Sequence, residues 1–157
     1  MDKMVLTEDL HFMDLALAQA HAAAEMGEVP VGAVVVHEGK VISSAHNRRE
    51  VDGDPSAHAE FIAMREAART LGDWRLEGCT VYVTLEPCAM CAGLMVNARV
   101  PRCVYAATDP RGGFLGTLGD LSSHPVLNHR FEVTSGVRAD EAADTLRTFF
   151  RRVRAKK

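Results

Sequence analysis

The chain has 157 residues, of which 47% are hydrophobic and 25% are charged, and its formal net charge at pH 7 is −3. A chain of this size can bury a core of its own, so we expect a single domain over residues 1–157 that needs no disulfide bonds. No apolar run approaches the ~18 residues of a membrane span, and the acidic balance argues against a general nucleic-acid coat. The acidic start does not resemble a secretory signal, so we expect a cytoplasmic protein.

Hydrophobic residues at three- and four-residue spacing predict an amphipathic helix over residues 7–27, with Thr7 as its N-cap and Gly27 as its stop. Residues 31–37 are almost wholly apolar and rich in valine, and residues 40–46 follow the turn pair Glu38-Gly39. These two segments predict a β-hairpin.

After the polar stretch 47–55, strong helix formers predict a second helix that begins at His58 and ends near Gly72. Strands are expected over residues 80–85, 102–107 and 131–134. Pro87 is well placed to open a helix over residues 88–98, residues 109–121 form a glycine-rich loop, and a last helix starts at Ala139. This alternation predicts an α/β three-layer sandwich with helices on both faces of a mixed sheet of about five strands.

Two short motifs at predicted helix starts combine metal-binding and acid–base chemistry. One is His58-Ala59-Glu60, and the other, Pro87-Cys88-Ala89-Met90-Cys91, places two cysteines on one helix face. One imidazole and two thiolates can hold zinc and leave the fourth tetrahedral position open, as catalytic zinc sites do. The pattern H-x-E followed by P-C-x-x-C is the known signature of zinc nucleobase deaminases.

Glu60 is the expected proton carrier. Helix N-termini favour thiolates over thiols, so Cys88 and Cys91 should bind the metal ion readily. We expect Glu60 to take a proton from zinc-bound water and to return it to the ring nitrogen and the leaving ammonia, while the hydroxide attacks the amine-bearing carbon.

Other interpretations of these residues stay open at this point. A C-x-x-C pair alone is as typical of a redox motif or of half a zinc knuckle as of a catalytic site, but a redox motif gives His58 and Glu60 no task. A closed structural zinc site would need a fourth ligand from one of three histidines: His46, His124 or His129. Cys79 and Cys103 are expected to be small buried residues at strand starts.

Over nearly its whole length, the chain resembles the bacterial tRNA-specific adenosine deaminases of the TadA type, within the cytidine deaminase-like superfamily. Beyond the two metal motifs, the resemblance lies in residues 28–33, 46–48, 84–93, 98–99 and 128–130. It implies zinc on His58, Cys88 and Cys91, with Glu60 as the proton shuttle. The implied reaction is hydrolytic deamination at adenine C6, which converts adenosine to inosine at the wobble position of a tRNA anticodon.

The resemblance also implies substrate contacts from six residues: Asn47, Val29, Pro30, Ala59, Asp109 and Asn128. Asn47 would hold the flipped base, and Val29 with Pro30 would form a hydrophobic wall beside it. Asp109 and Asn128 would lie near the backbone of the anticodon loop.

The resemblance further implies a homodimer in which the partner borders the active site. Leu85 departs from the family pattern, since some relatives carry an aromatic residue there, and no stacking contact is expected from it. The last eleven residues are basic, with no acid after Asp144: Arg147, Arg151, Arg152, Arg154, Lys156 and Lys157. This tail could contact RNA phosphates, or it could be a solvated helix end whose cations complement the helix dipole.

Two rival functions remain at this stage. A deaminase of a free base or nucleoside, such as guanine or cytosine, would share the four chemical residues. A non-catalytic RNA-binding module stabilised by zinc would need neither Glu60 nor an open coordination position.

Overall fold

A mixed five-stranded sheet with helices on both faces forms the fold, which confirms the predicted α/β architecture. The computed structural model describes residues 5–156, so Lys157 of the predicted basic tail and the first four residues lie outside the described part. In chain order the elements are α1 (Thr7–Glu25), β1 (Gly32–His37), β2 (Lys40–His46), α2 (Arg49–Asp52), α3 (Ala59–Leu71), β3 (Cys79–Leu85), α4 (Ala89–Asn97), β4 (Arg102–Ala107), β5 (Glu132–Thr134) and α5 (Ala139–Ala155).

The strand order in the sheet is β2-β1-β3-β4-β5. Strand β1 runs antiparallel to both β2 and β3, whereas β3, β4 and β5 are parallel to one another. Helix α4 provides the crossover that two parallel neighbours require between β3 and β4. Because Leu85 pairs with Ala107, the residues that follow β3 and β4 emerge side by side at one edge of the sheet.

The predicted hairpin is confirmed, with Gly32 paired to His46 and His37 to Lys40. Its two turn residues, Glu38 and Gly39, both have positive φ, 51° and 77°. Two successive residues of this kind match the right-handed twist of the flanking strands, and glycine adopts the conformation without steric cost.

Alternating side chains of the sheet pack into two separate hydrophobic cores, one on each face. One core packs α3 and α4 against one face, with Met64 and Met95 fully buried beside Val81 and Val83. The other core packs α1 and α5 against the opposite face through residues such as Met13 and Val104. The three layers follow from strands that are apolar on both faces.

Helix α1 begins at Thr7, but the predicted N-cap role of Thr7 is wrong. Leu6 occupies the N-cap position, and its backbone N–H donates to the carboxylate of Asp9, at 2.7 Å. Asp9 is fully buried and also accepts hydrogen bonds from Arg102, at 2.8 and 2.7 Å, and from the Tyr82 hydroxyl, at 2.7 Å. Burial alone would raise the pKa of Asp9, but the hydrogen bonds from Arg102, the Leu6 N–H and Tyr82 outweigh it and lower the pKa.

The structure adds one element that the sequence did not predict, the short helix α2, within the polar stretch 47–55. The starts of the next two long helices also shift by one residue. His58 and Cys88 are the N-cap residues of α3 and α4 and lie outside the helices proper. Both side chains therefore project from helix N-termini.

Cys79 and Cys103 are both fully buried near the starts of β3 and β4, as predicted. Burial raises the pKa of both thiols, to about 11 for Cys79. In the described residues, no helix combines the length and the apolar character that crossing a bilayer requires.

Candidate metal centre and substrate cavity

The two predicted chemical motifs meet where the N-termini of α3 and α4 converge. His58 directly precedes α3 and Cys88 directly precedes α4, both with extended backbone. Cys91 lies three residues further on, in the first turn of α4, and so faces the same way as Cys88. Helix N-termini present unpaired N–H groups and partial positive charge, which stabilise thiolate ligands.

The three donor atoms have the spacing that one tetrahedral ion requires. The Nδ1 atom of His58 lies 3.6 Å from the Sγ atom of Cys88 and 3.6 Å from that of Cys91. Zinc bonds of about 2.0–2.1 Å to nitrogen and about 2.3 Å to sulfur, at a tetrahedral angle, put N and S about 3.6 Å apart. The residues thus fit a metal ion without rearrangement.

A fourth protein ligand is absent from this group in residues 5–156, where His58, Cys88 and Cys91 alone come together. The three histidines considered for a closed site have other partners. His46 and His129 pair with the backbone carbonyls of Asn47 and Val100, at 2.9 and 2.7 Å. His124 accepts N–H groups of its own loop. The geometry is that of an open site.

The two cysteine thiols of the site differ in acidity. The hydrogen bond from Cys91, together with that from His58, lowers the pKa of the Cys88 thiol to about 4. The same Cys88–Cys91 hydrogen bond, with burial, raises the pKa of Cys91. The hydrogen bond to Cys88 raises the pKa of His58. A metal ion would displace the remaining protons, since only deprotonated groups ligate.

Glu60 lies in the first turn of α3, two residues after His58, and is only 4% exposed. Burial raises the pKa of its carboxyl to about 7. Its side chain also hydrogen-bonds Cys91. A carboxyl group that titrates near neutral pH can both take up and release a proton in one catalytic cycle.

A cavity of about 190 Å³ opens onto the metal-binding residues and Glu60. His58, Cys88 and Glu60 all line it, so a ligand in the cavity lies against both the metal ligands and the carboxyl group. Pockets for drug-sized ligands measure about 300–1,000 Å³, so this smaller space suits a smaller group.

Asn47 forms part of the cavity wall and is held in place on both sides of its amide. Its Nδ2 donates to the carbonyl of Val29, at 3.2 Å, and its Oδ1 accepts the N–H of Arg49, at 3.1 Å. A side-chain amide has two N–H groups and two lone pairs. One donor and one acceptor therefore remain for a ligand.

A second buried carboxylate, that of Glu28, holds the chain segment that follows Asn47. Glu28 is 1% exposed, and its two oxygens accept the backbone N–H groups of Glu50, at 3.2 Å, and Val51, at 2.7 Å. These bonds satisfy donors at the start of α2, which explains why so short a helix forms there.

Of the six residues predicted to contact substrate, Val29, Asn47, Ala59 and Asp109 line the cavity. The structure does not bring Pro30 or Asn128 to the cavity surface. Pro30 is buried, and Asn128 is exposed on the loop before β5. Four further residues line the cavity without having been predicted as substrate contacts: Val31, Arg49, Leu85 and Glu86. The available sequence signal for Glu86 was a charged residue between the end of an apolar strand and the cysteine motif that begins at Pro87.

The predicted basic tail is the exposed end of α5. This helix buries only Ala142, and residues 150–156 at its end are all exposed. Arg147 pairs with Asp144. In the described part of the tail, Arg151, Arg152, Arg154 and Lys156 have no ion pair, and the three arginines are called here the tail arginines.

Comparison with known proteins identifies relatives of this chain. A profile of the MafB19-like deaminases matches residues 7–154. The tRNA-specific adenosine deaminase of Bacillus subtilis (strain 168) is 49% identical over 152 residues, which cover 97% of this chain and 94% of that protein.

Two solved structures place the fold among deaminases. One, from a study of A-to-I editing by tRNA:A34 deaminases at the wobble position of transfer RNA, has a TM-score of 0.84 and 45% identity, covering 87% of this chain and 99% of that one. A guanine deaminase from Bacillus subtilis is less similar, with a TM-score of 0.61 and 36% identity over 66% of each chain. The chain therefore belongs to the MafB19-like deaminases and to the family of tRNA-specific adenosine deaminases.

Proposed function

We propose that this protein is a zinc-dependent tRNA adenosine deaminase that converts adenosine to inosine at the wobble position of an anticodon. One observation carries the proposal: His58 and Cys88, two members of an open His–Cys–Cys donor set, line the same small cavity as a buried carboxyl group, Glu60. Structural metal sites need neither the vacant position nor the acid. The reaction consumes one water and releases one ammonia.

His58, Cys88 and Cys91 would hold the zinc ion, since one nitrogen and two sulfurs at these distances are a donor set that suits it. When bound, the ion would act as a Lewis acid that makes water nucleophilic near neutral pH. The two thiolates already offset its charge, so water activation depends on a nearby base.

Glu60 is that base. Its carboxylate takes one proton from the attacking water, delivers it to the adjacent ring nitrogen of the purine, and carries the second proton to the departing amine. Its burial keeps bulk water from competing for these protons. One carboxyl group serves both proton transfers, as expected of an acid whose pKa lies near the working pH.

The cavity walls would orient the base. The free donor and acceptor of the Asn47 amide can pair with the polar edge of a purine, while Val29 and Leu85 cover its apolar surface. Asp109 also lines the cavity and would meet the sugar and backbone of the anticodon loop. An unpaired loop is a suitable substrate, because extruding a base costs least where it is not paired.

Two further features belong to the proposal. The protein would work as a homodimer in the cytoplasm, as the family resemblance implies. Light scattering coupled to gel filtration measures the mass of the protein in solution. The mass of a single chain at micromolar concentration would contradict the homodimer. The rival function as a guanine deaminase is less well supported, since the similarity to such an enzyme is lower in identity and coverage.

The test is a direct assay of product. Zinc-loaded protein is incubated with an anticodon stem-loop that carries adenosine at the wobble position, and inosine and ammonia are measured. A matched stem-loop with the adenosine moved by one position controls for the site, and free adenosine, cytidine and guanine control for the substrate class. We expect inosine at the wobble position only. Turnover of a free base alone would contradict the proposal, as would RNA binding without turnover.

A further inference from the structure

A carboxylate that the proposed chemistry does not use lies two residues before a metal ligand. Glu86 follows β3, is 2% exposed, and lines the cavity. Its backbone N–H extends the sheet by bonding to the carbonyl of Ala107, at 2.8 Å. Burying a charged group without partners is costly, so its environment should explain its presence.

All the partners of this carboxylate belong to one loop. We call residues 109–117 the rim loop; it contributes Asp109 to the cavity wall. Oε1 of Glu86 accepts the N–H of Asp109, at 3.1 Å, and the Thr117 hydroxyl. Oε2 accepts the N–H groups of Leu115, at 3.0 Å, and Thr117, at 3.1 Å. One side chain thus satisfies backbone donors at both ends of the rim loop.

A glycine supports the same role independently. A Cβ atom added at Gly113 would overlap the carboxyl group of Glu86, at 2.5 Å from Oε2 and closer still to two other atoms of the group. The rim loop therefore approaches the carboxylate as closely as its backbone allows. The loop is also seated on the segment that leads to Cys88, because the Phe114 N–H donates to the carbonyl of Pro87, at 2.9 Å.

We propose that Glu86 is a positioning residue for RNA: it holds the rim loop so that Asp109 and the adjacent Arg111 meet the anticodon loop in a fixed arrangement. The inference rests on the proposed function, because it assigns the rim loop to the RNA. Glu86 itself touches no reacting atom. Its loss should weaken binding of the stem-loop and leave the proton transfers of Glu60 intact.

The choice of substitution follows from the contacts. Glutamine has the shape of glutamate, but one of its two terminal atoms becomes a donor. Since each oxygen of Glu86 accepts at least one backbone N–H, either orientation of the amide sets a donor against a donor. Gly113→Ala perturbs the same contact from the loop side. Thr117→Val removes only the hydroxyl bond and is the mild variant.

Glu28→Gln is a matched control. Glu28 is equally buried and also binds two backbone N–H groups, but those of Glu50 and Val51, which follow the cavity residue Arg49 in the chain. Amide hydrogen exchange is measured for all variants, along with zinc content and steady-state deamination of the stem-loop. Exchange should rise at residues 109, 115 and 117 for Glu86→Gln, and at residues 50 and 51 for Glu28→Gln.

For Glu86→Gln and Gly113→Ala we expect KM for the stem-loop to rise about 10-fold or more, with kcat within about twofold and one zinc retained per chain. Thr117→Val should give a smaller rise in KM. The double variant Glu86→Gln/Gly113→Ala should raise KM no further than the stronger of the two single variants, because both substitutions disturb the same contact.

Three results would overturn the inference: unchanged exchange in the rim loop, a fall in kcat at constant KM, or full additivity in the double variant. If Glu86→Gln does not fold, hydrogen exchange in the rim loop and the KM and kcat of Thr117→Val and Gly113→Ala test the inference instead. If the wild-type protein does not deaminate the stem-loop, the proposed function fails, and hydrogen exchange still decides whether Glu86 holds the loop.

Discussion

Gly32 lies where helix α1 crosses strand β1, and replacing it with alanine should destabilise the protein strongly. A Cβ atom at this position would lie 2.5 Å from the backbone nitrogen of Ala20, 2.7 Å from the Cβ of Gln19, and closer still to the carbonyl oxygen of Ala16. Two of these three atoms belong to the helix backbone, so a rotamer change cannot relieve the overlap. Helix α1 would have to move away from the sheet.

Overpacking of this kind typically costs about 1–3 kcal/mol, and a clash with backbone belongs at the upper end or beyond, at about 3 kcal/mol or more. For a domain of this size, that loss lowers Tm by about 6–12 °C. Gly93→Ala in α4 is the matched control, since nothing lies within 4 Å of its added Cβ. Alanine is the better helix former there, by up to about 1 kcal/mol, so Tm should rise slightly.

Both Tm values are measured by scanning calorimetry on zinc-loaded protein. If Gly32→Ala melts within about 2 °C of the wild type, the close packing of α1 on β1 is refuted.

Three other predictions concern the site, the buried ion pair and the tail. Glu60→Gln should lower kcat about 10²- to 10⁴-fold with zinc retained. Glu66 is exposed on the same helix, and Glu66→Gln should leave kcat unchanged. A Glu60 variant as active as the wild type would exclude Glu60 as the proton carrier. Asp9→Asn leaves a guanidinium without its counter-ion and should cost about 3–5 kcal/mol in chemical denaturation. The folded-state pKa of Asp9 is lowered, so its contribution is present above the unfolded-state pKa and is lost as pH falls through the folded value; a variant with the same acid sensitivity as the wild type would contradict this. Replacing the tail arginines with alanine should make the salt dependence of RNA binding shallower, by about 0.7 per lost phosphate contact, and an unchanged slope would identify a solvated helix end.

The strands and long helices were predictable because their signals are local. Valine-rich apolar runs and the Glu38-Gly39 turn pair determine the hairpin, and helix formers followed by Gly72 determine α3. The proximity of the metal ligands was predictable because both motifs open helices, and such helix starts can meet at one edge of a sheet.

The parts that were not predicted depend on contacts between residues far apart in the chain. Helix α2 has four residues, too few for a periodic pattern, and its N–H groups are satisfied by Glu28, more than twenty positions earlier. The sequence predicts the rim loop only as part of a glycine-rich loop, yet Glu86, directly after a strand, holds it through hydrogen bonds. The sequence does not distinguish Asp9 from the other acids near the start of the chain, and only the fold brings Arg102 to it.

The central claim is that three side chains hold zinc and that no fourth side chain does. Zinc K-edge X-ray absorption on the purified protein, with metal content measured in parallel, tests it directly. We expect one zinc per chain with one nitrogen at about 2.0–2.1 Å, two sulfurs at about 2.3 Å, and one exchangeable light-atom ligand that is not from the protein. A spectrum with a third sulfur or a second imidazole would contradict the account, because no position would remain for water beside Glu60.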